Sequence, residues 1–159
     1  LKIEIQTIFF FTINQTMTII EYYTDGACHG NPGPGGWAFC CLDPILEKSG
    51  FEKHTTNNRM ELMAVIRSFE TMEKNKKYII YTDSQYVYKG ITEWRHSWKK
   101  NGWKNSKKRV VENLDLWKRL DELVECHENV KYQWIRGHNG KEGNEKADRL
   151  ANEAILSGK

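Results

Sequence analysis

The sequence predicts a mixed α/β domain, a sheet with helices packed against it. Three observations predict it. The chain opens with three strand-like runs separated by turn chemistry, the pattern of an antiparallel meander. A helix-patterned run then leads into YIIYT at 78–82, a continuous apolar run like a strand covered on both faces, and a helix-to-strand succession of this kind favours a parallel crossover. The length, 159 residues, suits one domain with a single sizeable core.

The first strand is expected at 18–24, where Ile20 and Tyr22 face one side and Ile19 and Tyr23 the other. A second is expected at 36–42, with Asp43-Pro44 beginning the turn after it, and a third at 50–56. A helix should follow. Asn57 or Asn58 can cap it, Glu61 falls in its first turn, and Leu62, Val65, Ile66, Phe69 and Met72 form its buried stripe. After the strand at 78–82, helical patterns cover 84–98 and 113–126, the second carrying Leu114, Trp117, Leu120 and Val124. A fifth strand is expected at 130–135 and a last helix at 145–155, with Ala147, Leu150, Ala151 and Ala154 inward. Residues 1–16 are expected to be an extension, disordered, added to a sheet edge or foreign to the native product, because Met17 can serve as a start. The domain proper is expected over 17–156.

The net charge of +3 is unevenly spread. Residues 95–109 carry seven Lys/Arg and no Asp or Glu, which leaves the rest of the chain at −4 against that total of +3. A mildly acidic body with one cationic segment suits a partner with a polyanionic backbone. Cys28, Cys40, Cys41 and Cys126 form no C-x-x-C pair and no zinc spacing, the pattern of reduced thiols in a cytoplasmic protein. No run of about 18 apolar residues exists to span a membrane.

Two strands end alike, in Thr24-Asp25 and Thr82-Asp83. If both are central and parallel, the two aspartates lie side by side at the carboxyl ends of the strands, where α/β sheets place their sites. Glu61 in the first helix and Asp148 in the last could join them. Four converging carboxylates could not all ionise without a counter-charge, which divalent cations supply. All-oxygen ligation favours Mg²⁺ or Mn²⁺ over Zn²⁺. Two such ions about 3.5–4 Å apart suit in-line displacement at phosphate. Taken singly, each carboxylate is more often a turn, a cap or an answer to a helix dipole than a ligand. The Gly-rich run after Asp25 suggests a phosphate loop, but it opens no helix and lacks the Lys-Ser/Thr of one.

Five motifs occur in order: TDGACHGNPGPGGWA, TTNNRMELMA, YTDSQYV, WKKNGWK and RGHNGKEGNEKADRLA. Together they closely resemble ribonuclease H of type 1, the bacterial ribonuclease HI kind, over nearly the whole chain. The resemblance implies the ribonuclease H-like fold, a five-stranded mixed sheet in the order 3-2-1-4-5 with helices on both faces and a basic protrusion. It implies cleavage of the RNA strand of an RNA–DNA hybrid with two Mg²⁺ ions, Mn²⁺ being a substitute, to leave 5′-phosphate and 3′-hydroxyl ends. Carried over by motif, the metal-binding carboxylates are Asp25, Glu61, Asp83 and Asp148. His138 matches the family's loop histidine, with a role in proton transfer or in the departure of product and metal.

The same resemblance implies the hybrid contacts. Cys28, Asn31, Asn57, Asn58 and Gln85 match minor-groove positions, where small polar groups can bond a 2′-hydroxyl without reading sequence. In the basic segment, Trp98 and Trp103 would build the protrusion, and Lys99, Lys100, Lys104, Lys107 and Lys108 would contact backbone phosphates. Tyr86, Trp94 and Ser106 would line a channel for the DNA strand. Thr56 and Asn113 fit the family's DNA-phosphate pocket, but His54 stands where an arginine is expected, and an imidazole offers no fork of donors. The expected partner is a hybrid duplex, met by a monomer with no membrane association. Two rival readings are a non-catalytic hybrid-binding module of the same fold, and an integrase- or resolvase-like core. The intact carboxylate set argues against the first. The asparagines and the basic segment argue against the second.

Overall fold

The computed structural model describes residues 17–159, and the extension expected over 1–16 lies outside the described residues. The first three strands, β1 (Ile19–Cys28), β2 (Gly33–Leu42) and β3 (Ile45–Thr55), form the antiparallel meander. Helix α1 (Asn57–Ser68) leads through a 3₁₀ turn to β4 (Lys77–Thr82), which pairs parallel with β1. Next come α2 (Gln85–Lys89), a π-helical turn (Gly90–Trp94) and α3 (Arg95–Lys100), then α4 (Leu114–Cys126). Strand β5 (Val130–Trp134) pairs parallel with β4, and α5 (Glu142–Ser157) closes the chain. The sheet order is β3-β2-β1-β4-β5, as the resemblance implies.

Both sheet faces are covered, so β1 and β4 place apolar residues on alternate sides. Tyr22, Phe39, Tyr78 and Ile80 join Leu62, Val65, Trp117 and Leu120 in the larger cluster. On the other face, Tyr23, Cys40 and Tyr81 meet Ala147 of α5. At about 25 cal/mol per Å² of apolar surface removed from water, these clusters are the main favourable term of the fold. Among the described residues, no helix is long and apolar enough to cross a membrane.

Several boundaries differ from expectation. Strand β3 begins at Ile45, not at residue 50, because an edge strand can carry charges such as Glu47 and Lys48 and still pair fully with β2. The cap of α1 is Thr56, whose Oγ1 accepts from the Arg59 amide at 3.3 Å. Asn57 and Asn58 therefore lie inside the first turn, and Glu61 sits beyond it. Helix α5 starts three residues earlier than the apolar stripe indicates, since its first turn is a polar stretch facing the strand ends.

Candidate active site

The two aspartates arrive by matching registers. Thr24 lies opposite Thr82 in the parallel β1–β4 ladder, so Asp25 and Asp83 leave the pair side by side. The expectation that Asp25 ends its strand needs correction: β1 runs on to Cys28 by pairing with β2 alone, Asp25 standing opposite Ala38. Asp83 does end its strand, and Ser84 caps α2 after it by accepting from the Val87 amide. Glu61 reaches the same point from α1. That helix can approach β1 only because residue 26 is glycine, where a Cβ would run into the Glu61 main chain.

Asp25, Glu61 and Asp83 each offer an oxygen within 4.8 Å of the others. Asp25 and Glu61 are each only 5% exposed. Burial, and then the Asp83 charge, pushes the Asp25 carboxyl up to about 8, with Asp148 adding to the effect. Burial, followed by the charges of Asp25 and Asp83, raises Glu61 well above the ordinary carboxylate range. Glu61 Oε2 is buried with no hydrogen-bond partner. An orphaned carboxylate oxygen facing two more carboxylates is an unfavourable arrangement for the bare protein. It suits a hard divalent cation, which would satisfy the oxygen and cancel the repulsion. Asp148 is half-buried on α5, close enough to raise Asp25 but outside the three-carboxylate cluster, and its Oδ1 accepts from Asn152 at 3.2 Å.

His138 is exposed in the turn between β5 and α5, with a left-handed φ of 53°. The preceding Gly137 packs against Asp83, where a Cβ would lie 2.6 Å from Oδ2. The turn that carries the histidine is thus anchored at a carboxylate of the site.

The structure places the candidate hybrid contacts one by one. The Asn31 side-chain oxygen accepts from the Asn57 amide at 2.9 Å, which ties the opening loop to the start of α1. The Cys28 Sγ lies 3.6 Å from the Gly33 carbonyl and 3.4 Å from the Thr55 carbonyl, so its single proton can be donated to either. Asn58 and Gln85 are exposed, as is His54 near the end of β3. The Asn113 amide donates to the Tyr86 hydroxyl at 3.1 Å, and the Trp117 indole N–H donates to the same oxygen at 2.8 Å. Trp94 and Ser106 line a groove of about 480 Å³ together with Lys104, and Tyr86 stands against the Trp94 ring. Trp98 and Trp103 pack against the larger core cluster, with Trp98 at 5.1 Å from the Trp117 ring.

The cations of residues 95–109 are not alike. Arg95 is buried and binds Asp121 and Glu125, and Lys99 Nζ lies 3.0 Å from Asp121. Lys100, Lys104, Lys107 and Lys108 are exposed. Three residues that the sequence did not single out also border the site. Arg59 makes a two-point ion pair with Asp115 beside Asn113. Asn144 and Trp134 both reach Asp83. Asn144 carried a usable signal, since it precedes Asp148 by four residues and shares its helix face.

Comparison with known proteins agrees with this geometry. The family model described as RNase H matches residues 17–156. The chain is similar to a Ribonuclease H of Chromobacterium violaceum, 52% identical over 140 residues, 87% of this chain and 95% of that one. A Ribonuclease HI of Pseudomonas syringae pv. tomato is 54% identical over 86% of this chain and 91% of its own. Among solved structures, LC9-RNase H1, described as a type 1 RNase H with the type 2 active-site motif, superposes with a TM-score of 0.76. It is 32% identical, over 91% of this chain and 75% of that one.

Proposed function

The chain belongs to the ribonuclease H family, and on that premise we propose that it is an endoribonuclease acting on RNA–DNA hybrids, with residues 17–156 as its catalytic domain. It hydrolyses the RNA strand, leaving 5′-phosphate and 3′-hydroxyl ends. The observation that carries the reading is the buried Asp25–Glu61–Asp83 cluster with its orphaned Glu61 oxygen. A module that only bound the hybrid would gain nothing from clustered negative charge facing phosphates.

The chain's own residues divide the work. Asp25, Glu61 and Asp83, with Asp148 beside them, would hold two Mg²⁺ ions, Mn²⁺ being a substitute. When bound, such ions supply activation of water and neutralise charge at the phosphate. Asp25 lies close enough to both Asp83 and Asp148 for each to raise its carboxyl, so it would help hold either ion. His138 stands on an exposed turn from which it can move a proton or help product leave. Cys28, Asn31, Asn57, Asn58 and Gln85 would test the minor groove for 2′-hydroxyls. Thr56, His54 and Asn113 would hold a phosphate of the DNA strand, and Tyr86, Trp94 and Ser106 would pack against its sugars. Exposed lysines of the basic segment, the proposed protrusion, add grip on the backbone. A cytoplasmic monomer is part of the same proposal.

The test is one panel: labelled hybrid, double-stranded RNA, double-stranded DNA and single-stranded RNA, each with Mg²⁺, with Mn²⁺ and with chelator. Cleavage of the hybrid alone, lost in chelator, is expected. Hybrid binding with no cleavage under either metal would establish the binding-module reading instead.

A further inference from the structure

Asp83 is held from a direction that the carboxylate cluster does not account for. The Trp134 indole N–H, at the end of β5, donates to the Asp83 main-chain carbonyl at 2.9 Å. The Asn144 side-chain amide, in α5, donates to Asp83 Oδ2 at 3.4 Å, a long bond of the kind that tightens when a site fills. Between these two residues runs the turn that carries His138, with Gly137 packed against the same carboxylate. Asn144 is 3% exposed. A polar amide is costly to bury unless its bond is needed, and it caps nothing, since α5 has no side-chain cap bond. Trp134 is 37% exposed, so core packing does not explain an aromatic there.

We infer that Trp134 and Asn144 are positioning residues for Asp83, fixing its main chain and its carboxylate from the two ends of the His138 turn. This rests on the reading of the cluster as a divalent-cation site. A carboxylate whose oxygen is already aimed loses less freedom on ligation, so the pair raises the affinity of the site for the ion. The same two bonds tie the His138 turn to the ligand, so that filling the site is felt at both of its ends.

The experiment is Mg²⁺ binding by titration calorimetry, in the absence of nucleic acid, on the parent protein, Asn144→Ala, Trp134→Phe and the double variant. Each single substitution is expected to weaken Mg²⁺ binding about fivefold or more. The double variant should lose less than the product of the two, because both act through one residue. Trp134→Phe keeps an aromatic ring at a partly exposed position while removing the N–H donor, so it serves even if Asn144→Ala folds poorly. In the parent, the Trp134 indole N–H resonance should shift as Mg²⁺ is added, which a purely structural role would not produce. Parent-like Mg²⁺ binding in Trp134→Phe, or an indole resonance indifferent to Mg²⁺, overturns the inference. Hybrid cleavage is scored separately on the parent. A parent that cuts while Trp134→Phe binds Mg²⁺ normally refutes only the positioning role, and a parent that never cuts refutes only the nuclease.

Discussion

At Asp25 the chain holds a carboxyl where burial and the neighbouring Asp83 both oppose its charge. Its value is raised from 3.8 to about 8, so between those limits the folded protein keeps a proton that the unfolded chain gives up. Folded stability contributed by this group is complete at low pH and is lost as pH rises toward 8. Asp25→Asn removes the charge and should abolish cleavage while hybrid binding persists. Melting in chelator should show the variant more stable than the parent at pH 9, by about 2–4 °C for each kcal/mol relieved, with the gap closing near pH 4. An equal gap at both pH values would refute the argument. Mg²⁺ should stabilise the parent more at high pH, where binding no longer has to displace a proton. At His54 the expected outcome has the other sign of charge. His54→Arg adds a permanent fork of donors and should lower KM for hybrid about two- to fivefold, at about 1 kcal/mol or less for an exposed charged contact. An unchanged KM would remove His54 from the phosphate pocket. Asp25 was legible in the sequence because it sits inside a dense motif. Trp134 was not, because what marks it is a contact to Asp83, 51 positions away; Asn144 shares a helix face with Asp148, but its contact to Asp83, 61 positions away, shows only in the fold.

Between residues 84 and 98 the sequence reads as one helix, and the structure inserts a π turn at Gly90–Trp94. A single extra residue in a turn leaves the apolar pattern almost intact, so nothing in the spacing announces it. Gly90 in this turn lies against the Trp117 ring, which a Cβ would run into. Beyond the turn Arg95, which reads as one more surface cation, points inward. It binds Asp121 at 2.7 Å and Glu125 at 2.6 Å, and donates to the Ile91 carbonyl at 3.2 Å. Burial opposes the charge of Asp121, but Arg95 and Lys99 outweigh it and hold its carboxyl below the ordinary value. The network fastens α3, where the basic segment begins, to α4. Arg95→Leu should destabilise by about 3–5 kcal/mol, because Asp121 is left buried with its main partner gone. Arg95→Leu with Asp121→Leu should recover most of that loss in denaturant unfolding, since the buried charge goes too. A double variant no more stable than the single would show that packing around the arginine stem, not charge, holds the two helices together.

That the molecule is a mixed sheet with helices packed on it was legible from few features, a meander, one crossover helix and a doubly covered strand, while the strand order came with the family resemblance. The molecule's charge distribution was only half legible. Composition counts seven cations over 95–109, but pairing across elements decides how many face outward. Arg95 is buried against Asp121 and Glu125, and Lys99, though exposed, is paired with the same carboxylates; Lys100, Lys104, Lys107, Lys108 and Arg109 are exposed. Counterion release makes that difference measurable, because only a cation that neutralises a phosphate contributes to the salt dependence of binding. Hybrid affinity should be measured against salt by fluorescence anisotropy, in an Asp25→Asn background that binds without cutting. Lys104→Ala, in the groove beside Trp94 and Ser106, should lower the slope of log affinity against log salt by about 1. Lys99→Ala should lower it clearly less, because its ammonium already has carboxylate partners, and should instead cost stability through Asp121. Equal slopes for the two variants would mean that Lys99 leaves Asp121 for a phosphate when the hybrid binds. The anchor of the basic segment would then be a contact exchanged on binding rather than a fixed one.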